Sequence, residues 1–303
     1  GYRVTTLCLE KRLTDEEARC SVHSMGKERG ISKIAQVWNF WRCIMTLRYD
    51  RVFIHMAPVW YALGFWLWLL RRTAVYLWYT HYKMQPGVFL FGLFGKRFFC
   101  ATSQSLPQFD GNPKKVVTGH GIDLAFWVQR ENRSPDRHAL LAVHRLSRSK
   151  RVEIGLQALA LLPENYTLTI YGIEAEPDYL AELRNFVREL HLWSRVFFRD
   201  SIPMTDLPAV YTHHRLILNM ASETIDKTML EAMTCGCYPV TTQRNALAIG
   251  IRDTPREDTP EAVARFVQDF KGSNPDELYR IVADRHSLEG MIRRMDGFIA
   301  KGQ

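Results

Sequence analysis

The chain has 303 residues, 47% hydrophobic and 24% charged, which excludes a disordered polypeptide and exceeds the usual size of one domain. Its net charge of +8 is uneven: up to Arg130 there are 18 Lys and Arg against 8 Asp and Glu, and the rest carries 22 against 24. No helix-turn-helix, zinc or RNA-binding signature accompanies that charge, so no nucleic-acid partner is expected, while an anionic membrane surface, an acidic acceptor and plain solubility stay open. The six cysteines are scattered, and Cys235 with Cys237 lacks a second pair at zinc-like spacing, which fits a reduced cytoplasmic protein.

In chain order, Tyr2 to Leu9 alternates like a strand and Ile31 to Leu47 has helical spacing. Val52 to Leu70 is apolar apart from His55 and is followed by Arg71 and Arg72, long enough to be mistaken for a membrane span. Pro58 and the flanks divide it differently: a strand over Arg51 to Met56, a buried helix over Ala57 to Leu70, and a strand over Thr73 to Thr80, one βαβ unit. For Trp60, Phe65, Trp66 and Trp68, and for Phe89 to Phe99, core packing and contact with a membrane interface are both open. Another strand is expected near Phe98. Polar Gln129 to Arg137, with Pro135, reads as a linker.

The second half repeats the alternation. Strands are expected at Ala139 to His144, Thr167 to Tyr171, Arg195 to Phe198, Leu216 to Met220 and Tyr238 to Thr242. Helices are expected at Val152 to Leu161, Pro177 to Leu190, Met204 to His213 and Lys227 to Cys235, then at Pro260 to Asp269 and Pro275 to Ile299. The pattern predicts an α/β protein with two Rossmann-like parallel sheets.

Two constellations carry chemistry. In SETIDKTMLEAMTCGCYPVTT, Met229, Leu230, Ala232 and Met233 form a helix's packing face and Gly236 its stop, so Glu223 stands before the helix and Glu231 within it. Carboxylates accept hydrogen bonds from hydroxyls, and free amides at a helix start attract phosphate. The bland alternative, two solvated glutamates, is equally compatible with this stretch alone. In LLAVHRLSRSKRVEIGLQAL, Arg145 ends a strand and Lys150 precedes a helix, which puts both cations at the carboxyl edge of a parallel sheet, where ligands of open α/β sheets gather. Fixed cations there offset the charge of a departing diphosphate. Arg148 and Arg151 read as solvated.

The acidic stretch resembles the signature of glycosyltransferase family 4, retaining enzymes of the GT-B fold, at Glu223, Glu231, Ala232, Met233, Cys235, Gly236, Pro239 and Val240. Thr224 and Asp226 stand where that family has glycines, and Lys227 adds a charge. The family's Gly-Arg-Leu-x-x-x-Lys pattern appears with His144 for the glycine and with Arg145, Leu146 and Lys150 kept. Val116 to Phe126 resembles its interdomain segment, with His120 for an asparagine. Asp50 to His55 resembles its Asp-x-x-x-x-His strand, and Gly172 its Gly-x-Gly, with Glu174 for the second glycine. Asp206, Leu207 and Tyr211 fall in its helix before the glutamate strand.

The resemblance implies two Rossmann-like domains facing across a cleft: an acceptor-side domain over 1–127, a nucleotide-sugar domain over 128–285, and a C-terminal helix over 286–303 packing back toward the first. It implies transfer of a hexose from a UDP-sugar or GDP-sugar to a glycan or lipid-linked acceptor, with retention and without a metal. Glu231 would hold the ribose and Glu223 a sugar hydroxyl. Arg145 and Lys150 would take the diphosphate, Thr224, Ile225, Lys227 and Gly172 would line the donor pocket, and His81 would lie near the transferred sugar. Such an enzyme in surface glycan synthesis would sit in the cytoplasm or on the cytosolic face of a membrane. The family's first strand and glycine-rich loop precede the point where this sequence begins, so the natural protein is expected to be longer. An epimerase or phosphorylase of the same fold, and a non-catalytic nucleotide-binding or membrane scaffold, are the rival readings.

Overall fold

A computed structural model describes residues 2–11, 20–127, 135–222 and 225–300. The chain forms two compact units, Gly1–Trp78 with Gln85–Phe98, and Tyr79–Met84 with Phe99–Gln303.

In the smaller unit, β1 (Thr5–Cys8) and β2 (Ser21–Ser24) pair in parallel as a two-stranded sheet. Helix α1 (Lys33–Thr46) starts at Ser32, whose hydroxyl accepts from the Ala35 amide at 3.2 Å. The apolar run that follows is β3 (Arg51–His55) and α2 (Pro58–Leu70), then β4 (Ala74–Trp78), which is the expected βαβ unit. Strands β3 and β4 are parallel, with Ile54 opposite Leu77. At 13 residues α2 is too short to span a bilayer, and among the described residues no helix is long and apolar enough to cross a membrane. Helix α3 (Pro86–Phe94) lies against α2; a Cβ on Gly87 would come within 2.3 Å of the Pro58 carbonyl oxygen, so that crossing needs glycine. Strand β5 (Arg97–Cys100) closes this unit and leads into the next.

The larger unit contains β6 (Lys115–Val117), then β7 (Asp136–Val143), α4 (Val152–Leu161), β8 (Thr167–Tyr171), α5 (Tyr179–Glu189) and β9 (Val196–Arg199). It continues with α6 (Leu207–His213), β10 (His214–Asn219), α7 (Lys227–Thr234), β11 (Tyr238–Thr241) and α8 (Gln243–Ile249). Helices α9 (Pro260–Asp269), α10 (Pro275–His286) and α11 (Leu288–Ile299) end it. Strands β7 to β11 form an all-parallel sheet in the order β11-β10-β7-β8-β9. The near-continuous apolar strands, such as Leu140 to Val143 and Leu216 to Leu218, are buried because helices cover both faces. The chain runs outward from β7 to β9, then returns to place β10 on the other side of β7. Loops leaving β7 and β10 therefore diverge at the switch point of the sheet, the place where open α/β sheets take their ligands.

Three local differences from the sequence reading have physical causes. Strand β7 starts at Asp136, so the last two residues of the expected linker belong to the sheet, and residues 129–134 lie outside the described set. The single expected helix over Pro275 to Ile299 is two, because Ser287 turns extended to bridge Ile122: the Ile122 amide donates to the His286 carbonyl and the Leu288 amide to that of Ile122, both at 2.8 Å. Helix α8 was not expected; the Thr242 hydroxyl caps it by accepting from the Asn245 amide at 3.2 Å.

Candidate functional site

The loop after β7 carries Arg145 and Lys150 at the switch point of the sheet. Residues Arg148–Lys150 make one 3-10 turn, and Arg151 takes a left-handed φ of 50° before α4 begins. The turn is held by its neighbour loop: the Ser222 amide donates to the Ser149 carbonyl at 3.3 Å, and the Arg151 guanidinium donates to the Met220 carbonyl at 2.7 Å. Lys150 is buried, and its Nζ donates to Asp226 Oδ1 at 2.5 Å. The other Asp226 oxygen accepts from Asn219 Nδ2 at 2.8 Å. Asp226 stands at the N-cap of α7. A carboxylate is thus clamped between a buried ammonium and a side-chain amide, at the residue where α7 begins. Arg145 is exposed, with no side-chain partner among the described residues.

Arg148 stays exposed and Arg151 partly so, but each is also ion-paired. Arg148 binds Glu182 at 2.5 and 2.7 Å and Glu176 at 3.1 Å, and lies over the Tyr179 ring; Arg151 pairs with Asp258 at 2.8 Å. The basic loop spends these two charges on holding its own shape.

On α7, Glu231 is half-buried and its carboxyl is pushed up to about 7 by burial, against the opposing pull of Lys227 one turn earlier and of the Tyr211 hydroxyl. Near neutral pH it is divided between acid and carboxylate. Lys227 is exposed and Ile225 buried. Glu223 and Thr224 lie outside the described residues.

Gly172 ends β8 for a packing reason: a Cβ there would sit 1.9 Å from the His144 carbonyl oxygen. Glu174, in place of a second glycine, accepts from the Leu180 amide at 2.9 Å near the start of α5. His144 is buried, and burial pushes its imidazole below the ordinary value although the Asp226 carboxylate pulls it up. His120 is also buried, held well below the ordinary value by burial and by the nearby His286 and Lys227 charges. Both imidazoles are therefore neutral at pH 7.

His81 lies half-buried in the segment Tyr79–Met84, which is anchored to this unit by the next residue. The Tyr82 hydroxyl donates to Asn245 Oδ1 at 2.9 Å, and the Arg244 guanidinium covers the Tyr82 ring at 3.9 Å. Asn245 Nδ2 in turn donates to the Ala221 carbonyl at 2.8 Å. His81 is thereby tied to the same loop that leads into α7. His55 instead stacks on Trp78, ring centroids 4.8 Å apart, in the smaller unit. Among the described residues no group of three His, Cys, Asp or Glu side chains converges as metal ligands.

Sequence reasoning missed Asn219, Tyr82 and Asn245. Each acts through side-chain hydrogen bonds to residues remote in sequence or in loops, pairings that no local pattern announces.

Residues 125–254, less than half of the chain, match the family model described as glycosyl transferases group 1. No curated protein matches the chain. Among solved structures, Anabaena HepE in complex with UDP and glucose is 16% identical with a TM-score of 0.79, over 98% of this chain and 91% of that one. A glycosyltransferase from Rickettsia africae ESF-5 is 14% identical with a TM-score of 0.76, over 98% and 89%. Sucrose-phosphate synthase from Thermosynechococcus elongatus is 16% identical with a TM-score of 0.71, over 88% and 77%. At these identities the likeness is one of architecture. The chain has the GT-B fold of two Rossmann-like parallel-sheet domains.

Proposed function

We propose that this protein is a retaining glycosyltransferase of family 4 that moves a hexose from a UDP-sugar or GDP-sugar to the hydroxyl of a glycan or lipid-linked acceptor. One observation carries the reading: at the switch point of a parallel sheet Lys150 and Asn219 together hold an anion, the carboxylate of Asp226, the N-cap residue of α7. A donor diphosphate has the charge to compete for the same cation and the same helix start. The match of residues 125–254 to glycosyl transferases group 1 supports it, as does the UDP-glucose bound in HepE.

In this reading Arg145, exposed and without a partner among the described residues, and Lys150 receive the leaving diphosphate, so positive charge meets the negative charge that develops as the glycosidic bond breaks. No divalent ion is needed for that step. Glu231 accepts from the ribose hydroxyls, Glu223 from a sugar hydroxyl, and His81 stands beside the transferred sugar. Thr224, Ile225, Lys227 and Gly172 line the donor pocket. The acceptor hydroxyl attacks the face that the diphosphate leaves, and the leaving phosphate takes its proton. Residues 1–127 serve the acceptor and 128–285 the donor, in surface glycan synthesis on the cytosolic side of a membrane.

The test is a thermal-shift series with UDP, GDP and their sugars, followed by NMR of the product. A nucleotide at a hundred times its dissociation constant adds about 2.7 kcal/mol to stability. A glycoside with the donor's anomeric configuration is expected; no shift with either nucleotide, or a free or epimerised sugar, sinks the reading. A second reading, a nucleotide binder without chemistry, is favoured by the charge on Lys150 being already matched by Asp226. Nucleotide binding with no turnover of any donor would select it.

A further inference from the structure

The smaller unit presents an apolar surface to which none of the candidate site residues belongs. On α2, Trp68 and Leu67 enter the core, but Trp66, Leu69 and Leu70 face water, Leu70 with 77% of its surface exposed. On α3, Phe91 is buried while Phe89, Leu93 and Phe94 are exposed. Trp66 stands three and four positions before Leu69 and Leu70, and Phe89 four before Leu93, so each helix turns one apolar face inward and leaves another outward.

The two helices pack side by side, with the exposed Phe94 of α3 against Phe65 of α2. Tyr61 meets Phe91 with ring centroids 4.8 Å apart, and one turn later Phe65 stacks on Phe94 at 6.1 Å. Because the contacts advance in the same sense, the helices run parallel and their C-terminal ends lie together. Those ends lead directly into Arg71 and Arg72 after α2 and Lys96 after α3, all exposed. Arg71 also reaches back to the Ile44 and Met45 carbonyls of α1 at 2.9 and 3.0 Å, which fixes its charge at this edge. From Arg51 to Phe109 the sequence contains no aspartate or glutamate. Exposed apolar side chains rimmed by cations, without an acid of their own stretch to neutralise them, match a surface of acyl chains beneath anionic headgroups. A protein partner would call for donors and acceptors of both signs around such a patch.

We propose that the C-terminal ends of α2 and α3 dock on an anionic lipid bilayer, with Trp66, Leu70 and Phe94 entering the headgroup boundary and Arg72 and Lys96 paired with lipid phosphates. The attachment is peripheral, since neither helix spans the apolar layer. It is independent of the donor site.

Flotation of the full chain with vesicles of phosphatidylglycerol and phosphatidylcholine, compared with phosphatidylcholine alone, tests it. The wild type floats with the anionic vesicles and much less with the neutral ones. The exposed pair Leu70→Glu with Phe94→Glu lowers the bound fraction roughly tenfold or more, and Arg72→Glu with Lys96→Glu removes the preference for anionic lipid. Near-ultraviolet circular dichroism and the nucleotide-induced thermal shift stay as in the wild type for both variants. Absence of wild-type flotation, variants that float equally well, or a dimer in sedimentation velocity that Leu70→Glu dissolves without any vesicle binding would each overturn the proposal.

Discussion

Around Lys150 charge is matched in pairs: Lys150 with Asp226, Arg151 with Asp258, and Arg148 with Glu176 and Glu182. At the ends of α2 and α3, cations stand beside exposed aromatic and aliphatic side chains in a stretch with no acid. In the proposed function the first region holds a shape until an anionic ligand takes over one of its partners, and in the proposed docking the second meets a surface. Burial sets the pair of Lys150 and Asp226 apart from the outer cations. A lysine removed from water must bring its counter-ion with it, while an arginine on an outer rim is solvated and can wait for a partner.

That contrast is tested most severely at Lys150. Its side chain and that of Asp226 retain 8% and 17% exposure, so Lys150→Met leaves a carboxylate nearly unhydrated beside His144 and Asn219. We expect a loss of about 3 kcal/mol in stability by urea unfolding. Adding Asp226→Asn should recover most of it while donor turnover stays abolished. Asp226→Asn alone frees Lys150 and should tighten UDP or GDP binding severalfold in calorimetry; unchanged affinity would mean that the diphosphate does not use this cation.

Gly172→Ala follows closely in size. The added methyl would lie 1.9 Å from a backbone carbonyl, which cannot move without shifting the strand end that carries Arg145. About 2 to 3 kcal/mol of destabilisation is expected from chemical denaturation.

Most of the fold was legible in the sequence, because helices and parallel strands bury runs of opposite period: α4, β8 and α9 match their expected bounds to the residue. The break at Ser287 was not legible, since it is imposed by Ile122 across more than 160 positions of sequence. The same holds at the site. Lys150 and Glu231 were singled out from spacing, but the partnership of Asp226 was not: in sequence it reads as a missing glycine, and only the fold puts its carboxylate against Lys150. The fate of the aromatic run was legible as a choice alone, and packing divides it, with Trp68 inside and Trp66 outside.

Glu231 gives the comparison a pH axis. Its carboxyl titrates at about 7 in the folded chain, against an ordinary 4.5, so the native state holds a proton that the unfolded chain has released. Stability therefore falls as pH rises from about 4.5 to 7 and levels off above, by up to roughly 3 kcal/mol. Glu231→Gln should flatten that slope and raise stability above pH 7. Glu231→Ala should slow turnover at least tenfold, as should Arg145→Ala. In the wild type, nucleotide affinity should weaken as pH drops through 7, because the protonated carboxyl accepts ribose hydroxyls less well. A flat affinity profile from pH 5.5 to 8 would remove Glu231 from the ribose site.

The smallest effect is expected at Tyr82, and it probes how His81 is held. Tyr82→Phe removes one buried hydroxyl donor and leaves Asn245 Oδ1 without it, a cost of about 1 kcal/mol. Asn245 keeps its bond to the Ala221 carbonyl, so the loop into α7 should stay in place and nucleotide affinity should be unchanged. What loosens is the segment Tyr79–Met84. If His81 acts at the transferred sugar, kcat should drop severalfold with the KM for donor nearly constant, a split that simple destabilisation would not produce. An equal loss in nucleotide binding would show instead that Tyr82 supports the donor loop, and His81 would lose its reason to be at the site.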